Sequence, residues 1–147
     1  MIEERYLAAT RATSLRDMPH LIGQVDLIKA SGMSHKNIAA HYLRLISNPT
    51  KEDMKRVYAA LLWVVDQRKL QSGADAIVLA LEWLLDSRCK VCAGAGVVVK
   101  GERDHKCPRC KGEKVRKEPG NRDAQLLIDY VMGCRAAHGG RMFKLLR

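Results

Sequence analysis

The stretch that decides the fold runs from residue 89 to residue 112 and reads CKVCAGAGVVVKGERDHKCPRCKG. It contains two Cys-x-x-Cys pairs, Cys89 with Cys92 and Cys107 with Cys110, and 14 residues separate the pairs. Two thiolates at this spacing can bind one side of a tetrahedral Zn²⁺, and a hairpin that brings up the second pair completes the four ligands. We therefore predict one structural Zn²⁺ per chain, bound by these four cysteines. Two redox dithiols are the alternative interpretation.

Each cysteine pair is followed two residues later by a glycine, Gly94 or Gly112. We expect positive φ at both, because a turn that points its N–H groups at sulfur often requires that conformation. Four cysteines also fill the metal's ligand positions, whereas a catalytic zinc keeps one position for water. His105 could replace a ligand, but a lone histidine in a hairpin is more often solvated. With no phosphate-binding loop or nucleophile–base motif in the chain, we predict no catalytic residues and no enzyme.

Positive charge is concentrated around the cysteines. The chain has 147 residues and a net charge of +10. Residues 88–122 hold 11 basic and 4 acidic side chains, a net charge of +7, while residues 1–87 are nearly balanced. Such a local excess predicts a polyanionic partner, either nucleic acid or an acidic protein surface, and the alternative is a solvated face that offsets the thiolates. The cations proposed for this contact are Lys100, Arg103, Lys106, Arg109, Lys111, Lys114, Arg116 and Lys117.

Helical periodicity dominates the rest of the chain. Apolar residues recur every three or four positions through most of residues 19–85, with breaks at Ser31-Gly32, Asn48-Pro49 and Ser72-Gly73. Thr50 and Asn121 are predicted to cap helices, the second of which ends at Gly139-Gly140. The tryptophans, Trp63 and Trp83, are expected to pack between helices.

We therefore predict a mainly α fold. A helical body over residues 1–87 precedes a four-cysteine zinc module over residues 88–118, and a short C-terminal helix with a basic tail occupies residues 119–147. The module is expected to be a zinc-knuckle or ribbon hairpin whose valines at 97–99 point outward. The longest apolar run is too short to span a bilayer, and the N-terminus lacks the apolar core of a secretory signal. Cysteines spaced for metal binding indicate a reducing, cytoplasmic location.

Residues 24–44 fit a helix-turn-helix, with Gly32 in the turn and Ile38 buried in the second helix. In that geometry the outward side chains of the second helix could reach phosphates and base edges of double-stranded DNA. An ordinary corner between two helices, which also favours glycine in the turn, is the alternative. The candidate DNA-binding residues are Ser34, His35, Lys36, Asn37, His41 and Arg44.

The pattern Cys-x-x-Cys-x-Gly-x-Gly at 89–96, with its partner at 107–112, resembles the cysteine-rich repeat of DnaJ-type chaperones. Those proteins carry four repeats and a His-Pro-Asp tripeptide, and this chain has two repeats and no such tripeptide. The chain as a whole is more similar to the lambda-type phage antitermination protein Q family. Residues 37–48 and 76–88 resemble helices of that family, although Lys114 stands where the second repeat would have its last glycine.

This resemblance implies a phage regulator that binds a DNA element in a late promoter. It would load onto paused host RNA polymerase through sigma factor and core contacts and would make the polymerase read through terminators. The implied partners are promoter DNA and the bacterial RNA polymerase holoenzyme, in the host cytoplasm and without a membrane. The competing interpretation is a zinc-containing adaptor, chaperone-like or inhibitory, that docks on an acidic protein without reading DNA sequence.

Overall fold

The computed structural model describes residues 2–11 and 38–146, and within them the chain forms five helices and one antiparallel two-stranded sheet. In chain order the elements are α1 (Ile2–Arg11), α2 (Ile38–Ser47), α3 (Lys51–Arg68), α4 (Gly73–Leu85), β1 (Val97–Lys100), β2 (Arg103–Lys106) and α5 (Arg122–Leu145). The predicted mainly α fold, with a cysteine hairpin between a helical body and a C-terminal helix, is confirmed. Residues 24–37 of the proposed helix-turn-helix lie outside the described residues.

Tertiary contacts divide the chain into two compact units. One is formed by Met1–Leu70 together with Asp129–Arg147, and the other by Gln71–Ile128. The divisions fall between α3 and α4 and again inside α5. The second unit therefore groups α4 and the first turns of α5 with the cysteine hairpin, whereas the sequence suggested boundaries after residues 87 and 118.

In the first unit, α2 and α3 are joined by a tight connection that Thr50 organises. Its hydroxyl accepts a hydrogen bond from the Asp53 backbone N–H at 3.0 Å and donates to the Asp53 carboxylate at 2.8 Å. Because this contact satisfies an N–H group that the first turn of a helix leaves unpaired, α3 starts at Lys51 as predicted. One hydrophobic cluster of this unit is centred on Tyr6, Leu43 and Met142.

The last helix is longer than the sequence predicted. Gly139-Gly140 was expected to end it, yet α5 continues through both glycines to Leu145. Gly139 lies directly against the Glu3 side chain of α1, and a Cβ atom at this position would overlap the Glu3 carboxylate. His138 and Met142 on either side are completely buried. The glycine thus permits a close approach to α1, and the burial of its neighbours outweighs about 1 kcal/mol of unfavourable helix propensity.

Trp63 does not pack between helices, so that prediction was wrong. The buried face of α3 is formed by Val57, Leu61 and Val64, which recur at the helical period. Trp63 falls off this stripe, and 60% of its surface is exposed. Trp83 is half-buried in the second unit, where its indole N–H donates to the Arg116 carbonyl at 3.3 Å.

In the second unit, polar contacts tie α4 to the segments around the hairpin. The Ser72 backbone N–H, at the start of α4, donates to the Asp123 carboxylate in α5 at 2.9 Å. Asn121 caps α5 as predicted, because its side-chain oxygen accepts from the Ala124 N–H at 3.1 Å. The Arg116 backbone N–H donates to the Ser87 carbonyl at 2.8 Å. The two ends of the cysteine hairpin are therefore held together next to the end of α4.

Candidate metal centre

The four predicted cysteines converge on one point. Their sulfur atoms all lie within 4.8 Å of one another, and all four residues are buried. The shortest cross-pair distances are 3.8 Å between the Cys89 and Cys107 sulfurs and 3.7 Å between the Cys92 and Cys110 sulfurs. None of the sulfurs is joined in a disulfide. The cluster can hold one metal ion with four protein ligands.

Two equivalent turns build this cluster, the first knuckle (residues 89–96) and the second knuckle (residues 107–114). Within them, the Cys92 carbonyl accepts from the Ala95 N–H at 2.8 Å, and the Cys110 carbonyl accepts from the Glu113 N–H at 2.9 Å. The knuckles also bond to each other reciprocally. The first cysteine of each knuckle donates its N–H to the carbonyl of the last residue of the other, Cys89 to Lys114 and Cys107 to Gly96, both at 2.9 Å. The hairpin therefore fixes the register of the pairs.

Positive φ recurs at matching positions of the two knuckles. Gly94 and Gly112 have φ of 84° and 95°, which confirms the prediction made for them. At the end of the knuckles, Gly96 has φ of 82° and Lys114 has φ of 68°. Lys114 therefore adopts a left-handed conformation without being a glycine. Its aliphatic stem lies over Gly96, because a Cβ built on Gly96 would be 3.0 Å from the Lys114 Cγ.

Backbone N–H groups stabilise the thiolate form of Cys92. Burial alone raises the pKa of this thiol, but hydrogen bonds, above all from the Gly96 N–H at 3.3 Å, outweigh burial and lower the pKa to about 7. For Cys110 burial prevails and the pKa is raised. Metal coordination requires the thiolate, so the N–H groups around Cys92 favour binding.

The hairpin between the knuckles has one face toward the cysteines. Strand β1 pairs with β2 in the register Val97 with Lys106 and Val98 with His105. Val98 packs against the cysteine cluster, so the prediction that the valines at 97–99 all point outward was wrong for Val98, while Val97 and Val99 are exposed. His105 is exposed and is not part of the four-residue cluster.

The predicted basic residues fall into two groups. Arg116 is half-buried, and its guanidinium donates to the Glu82 carbonyl at 2.7 Å and to the Glu82 carboxylate at 3.2 Å. The other seven are exposed, and none has an ion-pair partner among the described residues. These seven, called here the free cations, are Lys100, Arg103, Lys106, Arg109, Lys111, Lys114 and Lys117.

Of the six candidate DNA-binding residues, the structure describes two. His41 and Arg44 lie on α2 beside Asp53, where the His41 Nδ1 is 3.3 Å and the Arg44 Nε is 3.4 Å from the same carboxylate oxygen. The Arg44 Nη2 also lies 2.8 Å from the His41 Nδ1. Both side chains therefore have an intramolecular partner at the start of α3. Ser34, His35, Lys36 and Asn37 lie outside the described residues.

Two acidic residues that the sequence did not single out organise these basic side chains. Asp53 contacts His41 and Arg44, and Glu82 contacts Arg116 and, at 3.8 Å, Lys90. The Thr50-x-x-Asp53 pattern indicated a helix start but not the role of the carboxylate. Glu82 carried no signal in the sequence, because its partners are eight or more residues away.

Comparisons with protein-family models, curated proteins and solved structures found no match. None of the helices in the described part of the chain combines the length and apolar composition needed to cross a bilayer.

Proposed function

We propose that this protein is a DNA-binding transcription regulator stabilised by one structural Zn²⁺, and that it acts as a phage late-gene antiterminator on host RNA polymerase. The observation that carries the proposal is that the free cations lie on the segment that also holds the four-cysteine cluster. The antitermination role itself rests on the resemblance of the sequence to the protein Q family. The expected setting is the cytoplasm of a bacterial host.

The geometry of the cluster supports zinc as the metal. A tetrahedron with Zn–S bonds of about 2.3 Å has edges of about 3.8 Å. The cross-pair sulfur distances of 3.8 Å and 3.7 Å agree with this value. Because protein sulfur fills all four positions, we infer a structural ion that holds the hairpin rather than a catalytic ion that activates water.

The charge of the cysteine module, residues 88–118, supports a polyanionic partner. Zinc with four thiolates carries a formal charge of −2, which is smaller in magnitude than the +6 given by the 10 basic and 4 acidic side chains of residues 88–118. Three of the basic side chains in this segment form intramolecular ion pairs. Arg88 pairs with Asp86, and both Arg116 and Lys90 pair with Glu82. The free cations are available to phosphates or to carboxylates of a partner.

A protein-binding adaptor is the second candidate, and the exposed apolar residues of the same module favour it. Val91 and Val99 are more than half exposed. Neither apolar side chain can form a hydrogen bond or an ion pair with a phosphate. An acidic protein with an apolar patch would use both the cations and these valines. In that case sequence-specific DNA binding would be absent.

Selection of duplexes from a random-sequence DNA pool separates the two candidates. A sequence-specific regulator should enrich a defined element, and Asn37→Ala should then reduce the preference for that element by about 1–3 kcal/mol, the value of one bidentate contact to a base. Lys69→Ala, just beyond the end of α3 and remote in sequence from the proposed recognition helix, serves as a control that should leave the preference unchanged. A pool that shows no enriched element would contradict the DNA-reading proposal.

Transcription with purified bacterial RNA polymerase tests the second half of the proposal. Templates carrying the enriched element near the promoter, followed by a terminator, should show increased read-through when the protein is added. Templates with a scrambled element should not. Retention of polymerase by the protein after nuclease treatment, without any increase in read-through, would support the adaptor instead.

A further inference from the structure

The second knuckle carries a groove beside Cys110, whose other lining residues are not among the four metal-binding cysteines. Its volume is about 490 Å³, and it is formed by residues between Pro108 and Lys117. Three of the free cations, Arg109, Lys111 and Lys117, line it. Cations therefore line a groove that also includes Cys110 of the cysteine cluster.

The groove contains one opposing charge and one fixed cation. Glu113 is the acidic residue in the lining, and its backbone N–H forms part of the second knuckle. Arg116 also lines the groove, but Glu82 holds its guanidinium, so we regard it as a positioning residue. Because Arg116 also bonds through its backbone to Ser87 and Trp83, this side of the groove is anchored to α4 and the segment that follows it.

The composition of the segment indicates which nucleic acid the groove fits. Residues 88–122 contain no Phe, Tyr or Trp. Proteins that bind single strands stack successive bases on aromatic side chains, and each stacked base contributes about 1–3 kcal/mol. A cationic groove without such side chains can contact the sugar–phosphate backbone but offers no aromatic platform for unstacked bases. Duplex DNA, whose bases stay paired, is therefore the better fit.

We infer that this groove seats backbone phosphates of duplex DNA through Arg109, Lys111 and Lys117, and contributes affinity without reading sequence. The inference rests on the proposed DNA-binding function and assigns the non-specific part of binding to one place on the module. Phosphate contacts position a protein on DNA and carry no direct sequence information. Sequence preference must then come from another part of the chain.

The test compares two variants that remove the same charge from one module. The groove variant is Arg109→Gln, Lys111→Gln and Lys117→Gln, and the hairpin variant is Lys100→Gln, Arg103→Gln and Lys106→Gln. Fluorescence anisotropy with a labelled duplex of scrambled sequence gives the affinity of each variant. The salt concentration is varied from about 0.05 M to about 1 M, a range that brackets physiological ionic strength. Zinc content and circular dichroism of each variant establish that the module is intact.

The groove variant should flatten the plot of log affinity against log salt by about 0.9 for each phosphate that the protein no longer neutralises. At 0.1 M salt the affinity should be weaker by about eightfold for each such phosphate, if the affinity at 1 M is unchanged. The hairpin variant should flatten the slope less than the groove variant does. The two slope changes should differ by at least about 0.9, the value for one phosphate contact. Equal flattening in the two variants would overturn the inference, because the positive charge of the module would then contribute to DNA affinity regardless of its position.

Glu113→Gln provides a test that misfolding cannot imitate, because the expected change is a gain. Removing the acidic group of the groove should tighten binding to the scrambled duplex, whereas Asp104→Asn on the hairpin should have a smaller effect. Equal effects of the two substitutions, or equal affinity of the native protein for single-stranded DNA of the same length, would count against the groove. A groove variant that loses polymerase binding with an unchanged salt slope would assign the surface to a protein partner and overturn the inference.

These outcomes separate the inference from the proposed function. If the protein enriches no DNA element and gives no read-through, but the groove variant alone flattens the salt slope, the regulator proposal fails and the phosphate seat stands. If a defined element is enriched while the groove and hairpin variants behave alike, the regulator proposal stands and the phosphate seat fails.

Discussion

Replacement of Gly96 by alanine should weaken metal binding more than the same replacement at another glycine with positive φ in the hairpin. Gly96 has φ of 82°, and its N–H and carbonyl bond respectively to the Cys92 sulfur and to the Cys107 N–H. An alanine Cβ would lie 3.0 Å from the Lys114 Cγ and 3.1 Å from the Gly112 carbonyl oxygen. One substitution therefore strains both knuckles.

The magnitude follows from two terms. A non-glycine residue in the left-handed region costs about 1–2 kcal/mol, and overpacking at a tightly packed position costs about 1–3 kcal/mol. Gly101→Ala is the matched control, because Gly101 also has positive φ, 67°, but a Cβ there would meet nothing within 4 Å. Both variants carry the conformational cost, so only the overpacking cost differs between them. Gly96→Ala should therefore bind metal about 5-fold to 150-fold more weakly than Gly101→Ala.

Competition with a chromophoric zinc chelator at fixed pH measures this difference, because metal binding and folding of the module are coupled. The double variant Gly96→Ala with Lys114→Gly should recover part of the missing affinity, since it removes the Cγ atom and the left-handed lysine together. Indistinguishable zinc affinities for the Gly96→Ala and Gly101→Ala proteins would refute the packing argument.

Three further predictions concern the first unit. Thr50→Ala should destabilise α3 by about 1 kcal/mol in chemical denaturation, while Thr50→Ser should retain most of the stability because the hydroxyl cap is kept. Burial acts to raise the pKa of Asp53, but hydrogen bonds from Thr50 and His41 and the charge of Arg44 outweigh it and lower the pKa. The ionised Asp53 therefore contributes stability above its ordinary pKa of about 3.9 that is lost as pH falls through the lowered value, so the deficit in melting temperature of Asp53→Asn should be present at pH 7 and shrink in acid. Acrylamide should quench the emission of Trp63, and Trp63→Phe should leave the less accessible emission of Trp83; protection of both tryptophans would contradict the exposed position on α3.

The cysteine centre could be predicted from the sequence because its signals are local. Each Cys-x-x-Cys turn sets the separation of its own two sulfurs, and Gly94 and Gly112 supply the φ that the turn requires. Thr50 and Asn121 were equally predictable as caps, since their bonds reach only three residues along the chain. Interactions of this range depend on spacing alone.

The features that the sequence did not reveal depend on contacts between distant residues. Gly139 looked like a helix end, but its neighbour in space is Glu3, at the other end of the chain. Trp63 was assigned to the core from its residue type, whereas its angular position on α3 places it outside the buried stripe. Arg116 was predicted to contact a polyanionic partner, although Glu82, 34 residues earlier, binds its guanidinium. Local propensity cannot indicate such partners.

Zinc content of the purified chain tests the metal assignment most directly. Elemental analysis and native mass spectrometry should find one zinc per chain in the native protein and in Cys134→Ser, whose cysteine lies outside the cluster. Cys92→Ser should lose the zinc and unfold the cysteine module while much of the helical circular dichroism signal remains, because structural zinc contributes on the order of 10 kcal/mol to the folding of a small site. Absence of zinc from the native protein, or unchanged zinc in Cys92→Ser, would contradict a zinc-stabilised module.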